Sequence, residues 1–188
     1  MEFDPQSIAD LLIVAFAAFE ALRWRRGDYA RTPLYANPNR GTTAVLIGCY
    51  GVAVLALNWS APSPLPLPRW AEWTGIAVGL SGLALRWWAV KLLWLHAIHQ
   101  ADVGAMPRVI RRGPYRIIRH PAYLGNLAFW FGATMASGNL IALITVVVAM
   151  LAAYAVRISS EEALLGKLSS SAYDTYREHS WRLIPFVY

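Results

Sequence analysis

Tyr123 to Val156 reads YLGNLAFWFGATMASGNLIALITVVVAMLAAYAV, and no Asp, Glu, Lys or Arg interrupts it. A stretch this apolar has no face to turn toward water. In a bilayer it resolves into two helices, Tyr123–Ser137 and Leu140–Val156, with Ser137-Gly138-Asn139 as a minimal hairpin link. A hydrocarbon core of about 30 Å calls for roughly 20 apolar residues per helix, so the first of the pair is short. Working outward, three more runs come close to that length: Ile8–Leu22, Thr42–Trp59 and Trp70–Leu95. Between the second and third, Ser60–Arg69 reads SAPSPLPLPR, whose prolines cannot continue a helix and mark a tight, water-exposed turn. The reading predicts an all-α polytopic integral membrane protein with about five transmembrane helices.

Composition agrees. The chain has 188 residues, about one domain, with 57% apolar and 15% charged residues. Soluble domains run nearer 45–50% and about 25%. A disordered chain, a coiled coil and an ordinary soluble enzyme are excluded. The lone Cys49 excludes a disulfide framework and any multi-cysteine metal site. A net charge of +6 invites a nucleic-acid reading, but few charges in so apolar a chain suit a membrane face better. Arg23, Arg25, Arg26, Arg31 and Arg40 lie in the first loop, and Arg108, Arg111, Arg112, Arg116 and Arg119 in the third. Arg157, Lys167, Arg177 and Arg182 follow the last run, whereas the second loop has Arg69 alone and the fourth no charge. This alternation predicts an external N-terminus and a cytoplasmic C-terminus, in a bacterial inner membrane or the endoplasmic reticulum according to source. Ile8–Leu22 does not read as a cleavable signal, because Glu20-Ala-Leu-Arg-Trp-Arg-Arg follows it.

Two basic residues fall toward the C-terminal end of the third run. Arg86 and Lys91 either snorkel to the headgroups beside Trp87, Trp88 and Trp94, or lie on a helix that projects from the bilayer and walls a pocket. Glu20 is a functional candidate by its depth, or an interfacial residue paired with Arg23 and Arg25.

Nearly all remaining polar chemistry sits in two segments. His96–Gly125 reads HAIHQADVGAMPRVIRRGPYRIIRHPAYLG, and Arg157–Glu162 reads RISSEE. Gly113-Pro114 and His120-Pro121 are turn punctuation, and a residue before proline is pushed out of the helical region. Tyr115 and Tyr123 offer flat faces suited to a purine or ribose. Arg111 and Arg112 read as a basic patch for anionic lipid. Arg119 and His120, wedged between a turn and a helix start, point more toward a site. Arg157 and Glu161 share a helix face at four-residue spacing. Such a carboxylate can accept ribose hydroxyls or pair with an ammonium group, and such an arginine can clamp a carboxylate. An exposed ion pair at the membrane exit is the alternative. His96, His99 and Asp102 have metal-like spacing without a supporting cluster, so no metal is expected. Motifs for nucleotide, serine or zinc hydrolysis are absent from the sequence.

These residues resemble a known family. G-x-Y-x-x-x-R-H-P-x-Y-x-G runs from Gly113 through Arg119, His120, Pro121 and Tyr123 to Gly125, and R-x-x-x-E-E matches Arg157, Glu161 and Glu162. A weaker third part is the tail with Trp181, Arg182, Pro185 and Phe186. Together they are similar to the isoprenylcysteine carboxyl methyltransferases, and through them to the membrane phospholipid methyltransferases. The resemblance covers roughly the last 100 residues. With transmembrane helices 1–3 read from the apolar runs in residues 1–95, it implies a methyltransferase core in 96–188, with a cytosolic cofactor-binding cap, all within a single membrane domain of residues 1–188. It implies S-adenosyl-L-methionine as cofactor and S-adenosyl-L-homocysteine as product. Cofactor contacts would come from Gln100, Pro107, Arg108, Val109, Ile110, Tyr115, His120, Pro121, Ala122, Tyr123 and Glu161. Arg157 would face the acceptor, with Arg119 and Arg182 assisting. The implied acceptor is the carboxylate of a prenylated cysteine. A lipid-tailed hydroxyl or phenol and a phospholipid amine are the alternatives, and His96, His99 or Glu162 would serve as base for a phenol. A small transporter or scaffold is the non-enzyme alternative, disfavoured because the second, fourth and fifth runs carry no charge in their cores.

Overall fold

The computed structural model describes residues 4–25, 40–57, 65–101, 109–168 and 170–187. Helices α1 (Pro5–Arg25), α2 (Arg40–Leu57), α3 (Arg69–Ala101), α4 (Pro121–Ala136) and α5 (Leu140–Leu168) cover the five apolar runs, and α6 (Ser170–Glu178) follows. A 3-10 turn spans Gly113–Arg116. No strand forms among the described residues beyond two isolated bridges, Pro66 with Asn139 and Ile118 with Trp181. The protein is a helical integral membrane protein. Among the described residues, Pro5–Arg23, Arg69–Leu93 and Leu140–Ala163 are long and apolar enough to cross a bilayer by length and composition. The 16 residues of α4 make a rod of about 24 Å, shorter than the hydrocarbon core. By contrast α3 has 33 residues, about 50 Å, and α5 continues without a break past its apolar run to carry Arg157, Glu161 and Glu162.

The closest packing is between α3 and α4. A Cβ built on Gly82 would strike the backbone of Phe129, and one on Gly132 the backbone of Gly79. At Gly75 it would lie 2.7 Å from the amide of Ala136, and at Gly125 2.6 Å from that of Arg86. The helices therefore touch backbone to backbone along a stripe of small residues, the arrangement membrane helices use when lipid offers no hydrophobic drive for association. On the other face of α4, Phe129 stacks on Phe16 of α1 at 4.5 Å, and Trp130 stacks on Tyr50 of α2 at 5.5 Å. Beside them Asn126 donates to the hydroxyls of Tyr50 (2.8 Å) and Tyr154. At the far end Leu67 donates to the carbonyl of Gly138 (2.8 Å), so the end of the proline-rich segment is tied to the α4–α5 hairpin; residues 58–64 lie outside the described residues.

Arg86 corrects one expectation. It does not snorkel: it is buried, its Nε donates to Glu20 of α1 (2.8 Å), and its Nη1 donates to the carbonyl of Ala122 (3.1 Å). Glu20 also accepts from Arg23 at 3.1 Å, so it is a structural pivot among α1, α3 and α4. Lys91 is exposed, with its ammonium 5.0 Å from the Trp87 ring, in keeping with an interfacial position. Glu20→Ala removes the carboxylate paired with a buried arginine and is expected to lower stability by about 3–5 kcal/mol, measured as the unfolding midpoint in detergent.

Candidate functional site

The site begins where the chain enters α4. His120 precedes Pro121 at φ −121° and ψ 54°, outside the helical region, and just before it Ile118 forms an isolated bridge with Trp181 of the tail. The Arg119 amide donates to Trp181 (2.7 Å), His120 to Arg182 (3.1 Å), and Trp181 back to Ile117 (2.9 Å). This pairing docks the C-terminal tail beside the start of α4. Opposite it, α5 turns Arg157, Ile158, Glu161 and Glu162 inward, the spacing of one helical face.

Two linked clusters result. In the first, Arg157 Nε donates to the Tyr123 hydroxyl (2.9 Å) and to Glu161 Oε1 (3.1 Å), and the Tyr123 hydroxyl donates to the same carboxylate. The Tyr123 ring lies parallel to His120, with centroids 5.6 Å apart. In the second, Glu162 accepts from Arg119 Nε on one oxygen and from Arg182 Nε on the other, both at 2.9 Å. His120 joins the two, with Nε2 3.4 Å from Glu162 and Nδ1 3.8 Å from Glu161. Arg119 also caps the end of α6 through the carbonyls of Arg177 (3.1 Å) and Ser180.

The helix α6 closes one side. Tyr176 donates to the carbonyl of Tyr115 (2.7 Å); burial pushes its hydroxyl up to about 12, so it remains a donor at neutral pH. Tyr173 is also buried, and its hydroxyl has no hydrogen-bond partner among the described residues. Burial, and then the charge of Glu162, push it well above the ordinary phenol range. An orphaned buried hydroxyl next to an ionised cluster is an exception that asks for a cause.

Of the residues singled out from sequence, His120, Tyr123, Arg157 and Glu161 come together, and Arg119 and Arg182 converge on Glu162. Pro121 is buried at the first turn of α4, and the Ala122 carbonyl is engaged by Arg86. Tyr115 is buried with its hydroxyl on the Ala89 carbonyl (3.4 Å), against α3. Val109 and Ile110 are half-buried. Gln100 lies in the last turn of α3, where side chains are not described, as do His96 and His99; Pro107, Arg108 and Asp102 lie outside the described residues. No metal-holding group of His, Cys, Asp or Glu occurs among the described residues. Sequence reasoning missed Tyr173 and the Tyr50–Asn126–Tyr154 cluster. The signal for Tyr173 was its three-residue spacing from Tyr176 in the short amphipathic stretch SSAYDTYRE.

Comparison with known proteins bears on this arrangement. A family model described as phospholipid methyltransferase matches residues 70–171, which include both segments of the site on α4 and α5. Methanethiol S-methyltransferase 1 of Bradyrhizobium diazoefficiens is 28% identical over 198 residues, covering 95% of this chain and 67% of that protein. The solved structure of the eukaryotic intramembrane Ras methyltransferase, isoprenylcysteine carboxyl methyltransferase, superposes with a TM-score of 0.54 at 18% identity. That superposition covers 81% of this chain and 55% of the other, so this chain spans little more than half the length of that relative in fold.

Proposed function

The chain belongs to the phospholipid methyltransferase family and is a membrane methyltransferase, and from that premise we propose that it methylates an apolar acceptor using S-adenosyl-L-methionine at the Tyr123–Arg157–Glu161–His120 cluster. One observation carries the reading. Four polar side chains, His120 at the cap of α4, Tyr123 on α4, and Arg157 and Glu161 on α5, each less than a tenth exposed, are gathered inside the family-matched segment. Ionisable groups are costly to bury, and a paired cluster of them in one place marks a candidate functional site.

The side chains present fit the donor. Glu161 is a buried carboxylate suited to ribose hydroxyls or an ammonium group, and the parallel His120 and Tyr123 rings offer a flat wall. Tyr173 brings a hydroxyl without a partner among the described residues. Arg119, Arg157 and Arg182 outnumber Glu161 and Glu162, which suits the donor's own carboxylate. When bound, S-adenosyl-L-methionine supplies a methyl group already activated on a sulfonium. What remains for the chain is to align the acceptor and exclude water, effects worth several kcal/mol. On the motif's pattern, Val109, Ile110, Tyr115, Pro121 and Ala122 would belong to the donor side, as would Gln100, Pro107 and Arg108, whose side chains lie outside the described residues. The basic loops would place this end of the bundle on the cytoplasmic side, with the N-terminus outside.

For the acceptor, the geometry favours a thiol over a carboxylate. Arg157, expected from the motif to clamp an acceptor carboxylate, already has Nε engaged by Glu161 and Tyr123, which takes Nε out of any side-on clamp of a second carboxylate. The similarity to a methanethiol S-methyltransferase over 95% of the chain supports the same choice. A thiol must lose its proton, and His120 can take it at Nδ1 while Nε2 stays on Glu162. Carboxyl methylation of a prenylated cysteine is the second reading; it requires the one arginine in excess of the carboxylates to serve the acceptor instead of the donor.

Purified protein in nanodiscs tests both. S-adenosyl-L-homocysteine at 100 times its dissociation constant should add about 2.7 kcal/mol of stability; no shift in folded protein would sink the enzyme reading. Alkanethiols and farnesylcysteine, offered separately with the donor, should give a thioether from the first. A methyl ester from farnesylcysteine alone would replace the thiol reading by the carboxylate one. Tyr173→Phe is expected to weaken homocysteine-analogue binding several-fold. It should leave stability unchanged or raise it, since a buried unsatisfied hydroxyl costs about 1–3 kcal/mol; unchanged affinity would remove Tyr173 from the site.

A further inference from the structure

The bridge that docks the tail sorts its residues by face. Ile118 and Leu183 turn inward and are buried, whereas Ile117, Trp181, Ile184, Phe186 and Val187 turn outward. Phe186 is 86% exposed and Val187 76%. A tight turn closed by the Val187 amide on the Ile184 carbonyl (3.1 Å) puts Phe186 at φ 66°, a left-handed conformation that bulky residues rarely adopt. The aromatic contact of its ring is with Trp181, at 5.4 Å. Backbone strain spent on pushing a phenylalanine outward makes no sense if that face meets water.

The height of this patch on the bundle is fixed by contacts. Tyr115 bonds the Ala89 carbonyl, and a Cβ on Gly113 would lie 2.7 Å from Leu92, so the 3-10 turn sits on the last turns of α3 before residue 95. The exposed Trp87, Trp88 and Lys91 occupy the same turns. Arg111 and Arg112 just before the turn and Arg116 within it are exposed, the Arg111 guanidinium lying 5.7 Å from the Tyr176 ring. From His120 the chain enters α4, whose charge-free run begins at Tyr123. Tryptophans and cations gathered at one level mark the headgroup region.

We propose that Ile117, Trp181, Ile184, Phe186 and Val187 form an interfacial anchor, inserted at the headgroup–acyl boundary of the bilayer that the helices span. Arg111, Arg112 and Arg116 flank it and meet anionic headgroups. The anchor holds the strand that delivers Arg182 to Glu162, so the bilayer itself keeps the tail docked on the site. This inference stands whether or not the chain transfers a methyl group.

The lone cysteine makes the test direct. In a Cys49→Ala background, nitroxide labels at Phe186→Cys and Val187→Cys are compared with one at Asp174→Cys on the outer face of α6. Each is reconstituted in nanodiscs of phosphatidylcholine and phosphatidylglycerol, and power saturation is measured with oxygen and with a nickel chelate. The labels at 186 and 187 are expected to favour oxygen, the membrane-soluble relaxant, and the label at 174 to favour nickel. Nickel accessibility at 186 and 187 equal to that at 174 would overturn the anchor. Shielding from both relaxants would mean that protein, such as a second copy of this chain, covers the face, and would overturn it equally.

Discussion

Glu161→Ala is expected to abolish the thermal shift produced by S-adenosyl-L-homocysteine and to lower intrinsic stability by about 3–5 kcal/mol. Both effects follow from one geometry. Glu161 is 4% exposed and receives Arg157 Nε at 3.1 Å together with the Tyr123 hydroxyl. Removing the carboxylate leaves a 2%-exposed guanidinium without its counter-charge, and a buried charge stripped of its partner costs far more than the pair was worth. A loss of binding could then be mere unfolding, so the double variant Arg157→Met with Glu161→Leu is the decisive companion. Replacing both ions by apolar groups of similar volume is commonly neutral or stabilising. The double variant should therefore regain most of the lost stability while remaining blind to the ligand. Thermal unfolding with and without S-adenosyl-L-homocysteine reads both quantities. A stable double variant that still binds the ligand normally would show the pair to be structural and would move the cofactor elsewhere.

How far the sequence foretold this geometry depends on how local each interaction is. The helices were legible because charge is sparse in long apolar runs, and absent from three of the five, and a bilayer permits few other readings of that pattern. The Arg157–Glu161 contact was legible because four residues on a helix bring two side chains onto one face. Arg86 was misread for the opposite reason. Whether it snorkels or turns inward depends on Glu20, 66 residues away on another helix, and nothing near Arg86 records that partner. Arg182 reaches Glu162 through a strand-like pairing of Ile117–His120 with the tail, which no periodicity in either segment announces. Tyr173 became visible as a candidate only when burial and the orphaned hydroxyl could be seen together. The glycines of α3 and α4 belong to the same class, since a small residue in an apolar run carries no sign of what lies opposite.

Those glycines carry the second large effect. Gly132→Ala is expected to destabilise the protein by more than about 3 kcal/mol, beyond the usual range for an added methylene in a packed core. A side-chain neighbour could rotate away, but the obstacles are the backbone of Gly79 and the carbonyl of Gly75, which move only if α3 and α4 separate. Separation would propagate to the site, because Gly125, at the other end of the same stripe, lies between Arg86 on α3 and the α4 turn that presents Tyr123. Gly51→Ala on α2 is the matched control: its added methyl meets nothing within 4 Å. There the helix should gain about 0.5–1 kcal/mol, because alanine loses less backbone freedom than glycine on folding. Unfolding midpoints of the two variants in the same detergent should therefore move in opposite directions. If Gly132→Ala matched Gly51→Ala, the two helices would not meet backbone to backbone, and the placement of Tyr123 and His120 on α4 against Arg157 and Glu161 on α5 would lose the scaffold that fixes it.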